Sequence, residues 1–172
     1  MFLSALGTTR AAAGGLENQR NIDYELNLQL AKAAKDAGVE TYVLISVAGA
    51  TAKGLLPYSK MKGELEDAVK TLGFKHCVIL KPGLLVGERK ESRPTEWLVQ
   101  QLAKGAGAMS SGLKDFWAQD AEVVARAAVS AGLSCNEGKQ AEGVWVLEQK
   151  DIVRLGRTEW DGSKKKKEEE ER

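Results

Sequence analysis

A chain of 172 residues with 43% hydrophobic and 28% charged residues is sized for one globular domain, and its formal charge of +1 gives no general attraction for nucleic acid or anionic lipid. Cys77 and Cys135 lie far apart, with no second cysteine or histidine at ligand spacing, which excludes a zinc site and a disulfide framework, and no metal is expected. No apolar run reaches the roughly 20 residues that span a bilayer, and the opening Met-Phe-Leu-Ser-Ala-Leu lacks the basic flank and length of a secretory signal.

Short apolar runs alternate with longer amphipathic ones, the pattern of a parallel sheet with crossover helices, so the fold class is α/β. Phe2 to Leu6 reads as a strand that ends in a loop at Gly7-Thr8-Thr9 and a flexible Ala-Ala-Ala-Gly-Gly stretch. From Asp23 to Ala37 the positions Leu26, Leu30, Ala33, Ala34 and Ala37 recur at three and four, predicting a helix with this inner face, closed by Gly38. Tyr42 to Ser46 is a near-continuous apolar run, as in a strand buried on both faces. A second helix is predicted from Pro57 to Leu72, with Met61, Leu65, Ala68, Val69 and Leu72 inward, followed by a strand from Cys77 to Lys81 that Pro82-Gly83 ends. Pro94 to Ala103 reads as a short helix and Gly105 to Asp115 as a loop. Asp120 caps a helix through Ala131, Val144 to Leu147 forms a last strand, and Asp151 to Leu155 adds a helical turn or two. Residues 1–160 are therefore read as the later portion of a dinucleotide-binding domain. Residues 161–172, dominated by four lysines, four glutamates and an arginine, form a disordered charged tail.

Tyr58 and Lys62 carry the chemistry most directly. Four residues apart, they share one helix face, so an ammonium can sit beside the phenol and lower its pKa toward working pH, as a general acid/base requires. Ser46, at the end of a strand, can donate a hydrogen bond to a carbonyl, and ligands of open α/β sheets bind beyond the C-terminal strand ends. The plainer alternatives keep Tyr58 packed on the loop, Lys62 solvated or paired with Glu66, Ser46 an ordinary turn residue and Asn27 a solvated helix residue. His76 is expected at the surface, the two cysteines buried, and Trp97, Trp117, Trp145 and Trp160 in core packing or a substrate pocket.

Ser46, Tyr58 and Lys62, with Lys-Pro-Gly-Leu-Leu-Val-Gly-Glu-Arg at 81–89, resemble the short-chain dehydrogenase/reductase superfamily. Ser-Ala-Leu-Gly-Thr-Thr-Arg, Asp-Tyr-Glu-Leu-Asn, Met-Lys-Gly-Glu-Leu-Glu, Glu-Ser-Arg-Pro-Thr-Glu-Trp-Leu-Val and Val-Leu-Glu-Gln-Lys-Asp-Ile together resemble the Tat-interacting-protein oxidoreductase branch, most closely its fungal mitochondrial outer-membrane members. The resemblance implies a Rossmann-like, doubly wound parallel sheet and an NAD- or NADP-dependent hydride transfer on a small carbonyl or alcohol substrate. It assigns Tyr58 to proton transfer, Lys62 to lowering the Tyr58 pKa and to the cofactor ribose, Ser46 to polarising the carbonyl and Asn27 to a water relay. Gly7, Thr8 and Thr9 would line the cofactor, and Pro82 and Gly83 would approach the nicotinamide through backbone.

Two departures stand out. Val47 occupies a position where relatives often carry a second serine. The Gly-x-x-Gly-x-x-Gly turn that receives the pyrophosphate is not found, and neither Gly7 nor Gly14-Gly15 replaces it. The expectation is a partial Rossmann-like domain lacking its first three strands, impaired in activity and prone to self-association through an exposed edge at Phe2 to Leu6. The resemblance places it peripherally at the mitochondrial outer membrane. A non-catalytic binding or scaffold protein there is the alternative.

Overall fold

The structure is a computed structural model that describes residues 1–86 and 118–160, with backbone alone for 84–86 and 118–119. Its elements are β1 (Phe2–Ser4), α1 (Arg10–Ala13), α2 (Leu16–Arg20), α3 (Asn27–Asp36), β2 (Thr41–Ile45), α4 (Pro57–Thr71), β3 (His76–Leu80), β4 (Leu84–Val86), β5 (Ala118–Asp120), α5 (Ala121–Asn136), β6 (Gly143–Leu147) and α6 (Gln149–Val153). A π turn, Asn21–Leu26, joins α2 to α3, and another, Arg154–Thr158, extends α6.

β2 and β3 are apolar on both faces because each face meets a helical layer. Their alternating residues separate cleanly. Tyr42, Leu44, Cys77 and Ile79 pack with Ala31 and Ala34 of α3 and Leu65 and Val69 of α4. Val43, Val78 and Leu80, with Leu147 of β6, pack with Val124, Ala127, Ala128 and Ala131 of α5 and Ile152 of α6. The main sheet runs β1-β2-β3-β6, all parallel, in the register Ile45↔Leu80↔Leu147, so its strands end together at one edge. Phe2, Tyr42 and Phe74 stack in sequence, with ring centroids 5.5 and 4.8 Å apart, and tie β1 to β2 and the loop after α4. This is the α/β, doubly wound arrangement that the sequence predicts.

Several expectations need correction. The stretch after Thr9 is helical, not flexible: Thr9 Oγ1 accepts from Ala12 N–H, and Gly14 closes α1 at φ 75°. The inner face of the next helix is not Leu26, Leu30, Ala33 and Ala37. Asp23, Asn27, Ala31 and Ala34 are buried instead, while Leu26, Ala33 and Ala37 are exposed. The π turn takes more residues per turn than an α-helix, which re-aims the helix and keeps polar residues four apart, Gln19, Asp23 and Asn27, turned inward. His76 is buried, not at the surface, because it opens β3 between Thr41 and Gly143, and its Nδ1 has no hydrogen-bond partner among the described residues. Asp120 caps α5 as expected, through Glu122 N–H, but the helix runs on to Asn136. β4 and β5 form a parallel pair that the sequence reading missed. The expected helix at Pro94 to Ala103, the loop at Gly105 to Asp115, Trp97, Trp117 and the charged tail lie outside the described residues.

α4 fits so closely under the loop from Ser46 that a Cβ on Gly63 would overlap the backbone of Thr51 and Ala52. Gly63→Ala is therefore expected to cost about 1–3 kcal/mol, read as a lower denaturant midpoint. An unchanged midpoint would show that the loop lifts freely. Burial pushes the Cys77 thiol up to about 11 from 9.0. The unfolded chain releases that proton first, so stability should fall as pH rises from about 9 toward 11. Replacing Cys77 by alanine should flatten this alkaline slope in pH-dependent denaturation, and an unaltered slope would place its origin elsewhere.

Candidate active site

The C-terminal ends of β1, β2 and β3 meet the start of α4, and there the chain buries several polar side chains close together. Lys62 is the centre of them. It lies on the second turn of α4, only 4% exposed, and its Nζ donates to the carbonyl of Ile45, the last residue of β2, at 3.1 Å. Burial lowers the Lys62 pKa, and the carboxylates of Asp23 and Glu66 oppose that by favouring the charged form.

One turn earlier, Pro57 at the first position starts α4 and Tyr58 follows, 42% exposed. The Tyr58 phenol titrates above its ordinary value, first through burial of its oxygen and then through the Asp23 carboxylate. The expectation that Lys62 would lower it is thus reversed in this structure: desolvation and a nearby negative charge both hold the proton on.

Asp23 and Asn27, on the inward face created by the π turn, fasten the end of β1. The Asp23 carboxylate accepts from Thr8 N–H at 2.6 Å and from Gln19 Nε2 at 3.3 Å, while Gln19 Nε2 also reaches the Thr8 carbonyl at 3.3 Å. Asn27 is 0% exposed. Its Oδ1 accepts from Ser4 Oγ at 2.6 Å, and its Nδ2 donates to the carbonyls of Leu6 and Asp23 at 3.1 and 3.2 Å. Asn27 is therefore not a solvated helix residue; its amide stitches α3 to β1.

Ser46 is buried just past β2, and its hydroxyl donates to Glu66 Oε1 on α4. Glu66 Oε2 pairs with Lys81 Nζ at 3.2 Å, and Lys81 also donates to the Ala50 carbonyl at 3.1 Å. Lys81, not Lys62, thus makes the ion pair with Glu66. The Ser46 proton points into this network, so its oxygen presents lone pairs to anything above it.

The remaining expected contacts divide. Both backbone polar groups of Thr8 are taken by Asp23 and Gln19, and the Thr9 hydroxyl caps α1; Thr8 is half-buried and Thr9 exposed. Gly7 runs beside the Asp23 carboxylate, to which a Cβ there would come within 3.6 Å. Pro82 is buried, its carbonyl accepting from Ala48 N–H at 2.7 Å, and Gly83 is half-buried at the same edge. Sequence reasoning missed Gln19, Asp23 and Lys81, and gave Glu66 only as a partner for Lys62. Their one signal was a polar residue at every fourth position before the apolar part of a helix, and a lysine just past a buried strand.

The arrangement offers a phenol that keeps its proton, an ammonium held dry one turn below it, and half-exposed backbone at Gly83. These fit the ribose and nicotinamide end of a dinucleotide. The described residues present no strand running through a glycine-rich turn into a helix, the feature that would cradle a pyrophosphate. Among them there is also no cluster of three or more side chains suited to a metal ion.

Residues 1–107 match the family model described as HIM1. Over 160 residues the chain is 54% identical to protein fmp52-1, mitochondrial, of Aspergillus terreus, covering 91% of this chain and 69% of that one. It is 51% identical over 164 residues to protein fmp-52, mitochondrial, of Neurospora crassa, covering 92% and 67%. Among solved structures it is similar in fold to MoeE5 in complex with UDP-glucose and NAD, with a TM-score of 0.57 at 15% identity over 91% of this chain and 60% of that one. A UDP-glucose 4-epimerase with UDP-glucose from Thermotoga maritima gives 0.57 at 14% identity over 93% and 61%. The chain thus spans about three fifths of these solved chains, and the likeness is one of fold: a Rossmann-like parallel sheet between helical layers. By its sequence, the chain belongs to the HIM1 family, alongside the fungal mitochondrial fmp52 proteins.

Proposed function

We propose that this edge of the sheet is the acid/base half of a nicotinamide-dependent carbonyl/alcohol oxidoreductase site. The observation that carries the reading is the pairing of an exposed Tyr58 with a buried Lys62 ammonium one turn below it, at the C-terminal ends of parallel strands. A bound NAD or NADP would supply or accept the hydride. Tyr58 then gives its proton to the carbonyl oxygen in reduction, or takes it back in oxidation, and the phenolate left behind is stabilised by the Lys62 charge. Burial and the Asp23 carboxylate keep the Tyr58 phenol protonated, the form from which it gives its proton in reduction. Ser46, its own proton committed to Glu66, orients a hydroxyl by accepting from it, and Asn27 positions the end of β1 instead of relaying protons.

The solved neighbours in complex with NAD support the choice of cofactor, and the quoted motifs support the Tat-interacting branch. A mitochondrial location is supported by the relatives' names, and peripheral attachment to the outer membrane is our reading of the resemblance. No described helix is long and apolar enough to cross a membrane.

Two measurements test this. Titration calorimetry with NADH and NADPH on the 172 residues alone should show binding weaker by several orders of magnitude than on the same residues fused behind the N-terminal segment of the Aspergillus terreus relative, because each charge-assisted hydrogen bond to a pyrophosphate contributes about 1.5–3 kcal/mol. Micromolar binding by the 172 residues alone would overturn the partition of the site, and no binding by the fusion would favour a binding or scaffold role. In the fusion, Tyr58→Phe should lower hydride transfer by about 100- to 10,000-fold while leaving cofactor affinity within a few fold. Near-normal turnover would remove Tyr58 from the chemistry.

A further inference from the structure

On α4, Glu66 has a lysine one turn to either side, Lys62 before it and Lys70 after it, and residues four apart on a helix are close enough to pair. It pairs with neither. Lys70 goes to Asp67 at 3.1 Å, and Lys62, 4% exposed, gives its Nζ to the Ile45 carbonyl. Glu66, 3% exposed, accepts from the Ser46 hydroxyl at one oxygen and meets Lys81 Nζ with the other at 3.2 Å.

Lys81 holds this position from the sheet. Its backbone N–H donates to the Leu147 carbonyl at 2.9 Å, in line with β3 and β6, and its Nζ has a second acceptor in the Ala50 carbonyl at 3.1 Å. The loop that carries Ala50 is fixed beside it by Ala48 N–H to the Pro82 carbonyl at 2.7 Å, and lies on Gly63 of α4. One ammonium thereby joins sheet, loop and helix. Without it, a carboxylate with almost no access to water would lose its cation, a state that buried charges do not tolerate. With Lys70 already held by Asp67, the cation left on the same helix is Lys62. An ammonium drawn into a pair with Glu66 would stabilise a neighbouring phenolate less, because the pair as a whole is neutral.

We propose that Lys81 is a positioning residue for the proton-transfer pair: by occupying Glu66 it keeps the Lys62 ammonium on the Ile45 carbonyl and off the carboxylate one turn further along α4. This rests on the reading of Lys62 as the charge that stabilises the Tyr58 phenolate, but the placement of Lys62 is measured without any reaction.

The test uses the 172-residue chain labelled with 13C and 15N, in which NMR scalar couplings across hydrogen bonds report the partner of each buried ammonium. In the unaltered chain, Lys62 Nζ should couple to the Ile45 carbonyl carbon, and Lys81 Nζ to the Ala50 carbonyl or the Glu66 carboxyl carbon. In Lys81→Met the Lys62 coupling should pass from Ile45 to the Glu66 carboxyl, and in Lys81→Met/Glu66→Gln it should return to Ile45. Lys62 coupled to Glu66 already in the unaltered chain would overturn the proposal, and that measurement requires no variant to fold. Lys62 still coupled to Ile45 in Lys81→Met, or Lys70 taking Glu66 there, would overturn it too. In the fusion, Lys81→Met should lower kcat by about 100-fold, the scale of a small misplacement of a catalytic group. Adding Glu66→Gln should recover most of that loss, which a mere loss of packing would not allow; no recovery would count as refutation. Near-normal hydride transfer in Tyr58→Phe would strike the catalytic reading and leave the couplings standing, whereas couplings that do not move would strike the positioning role alone.

Discussion

A lysine ammonium enclosed at the rim of a parallel sheet is the constraint around which this fold is arranged. Removing such a charge from water is costly, and the cost is met only where acceptors and counter-charges converge. Here the Ile45 carbonyl accepts from Lys62, while Asp23 and Glu66 lend negative potential. These partners come from β2, from the π turn before α3 and from α4 itself. Three elements must therefore be in register for one side chain to stay charged. That requirement also explains the buried carboxylates, each of which would be unfavourable alone: Asp23 is held by Thr8 N–H and Gln19, Glu66 by Ser46 and Lys81.

The two networks have separate tasks. Gln19, Asp23 and Asn27 bind the helical layer to the end of β1, and in doing so consume the polar groups of Thr8 and the amide of Asn27. Ser46, Glu66 and Lys81 bind the loop after β2 to α4 and to the end of β3. Neither network needs a ligand to be complete. The exposed Tyr58 phenol belongs to neither network.

Much of the sheet was legible in the sequence, because the continuous apolar runs Tyr42–Ile45 and Cys77–Leu80 have no other economical placement than between two helical layers. The Tyr58–Lys62 pair was legible for a similar reason: spacing of four on a helix with Pro57 at its start fixes a shared face. The inward face of α3 was not. A 3.6-residue period fitted to its apolar positions selects Leu26 and Ala33, whereas the π turn re-aims the chain and the buried positions before Ala31 are polar. Burial of Asp23 and Asn27 depends on Thr8, Ser4 and Lys62, partners remote in sequence, which no local pattern records. His76 was misplaced likewise: its burial follows from β6 pairing at Gly143, far along the chain.

Tyr58 and Lys62 differ in depth, the phenol exposed and the ammonium buried. A cation that stabilises a phenolate must be kept dry, or water screens it; a phenol that meets a reactant must reach the surface. Four residues of α-helix advance about 6 Å along the axis, so a helix that begins at the rim of the sheet places one residue outside and the other beneath it. The position of the helix start therefore sets both depths. Pro57 sets it from within α4, and the loop clamped between Ser46 and Gly63 sets it from outside. Sliding α4 by one turn would either expose Lys62 to solvent or bury Tyr58, and either change would undo the arrangement on which the proposed acid/base role rests.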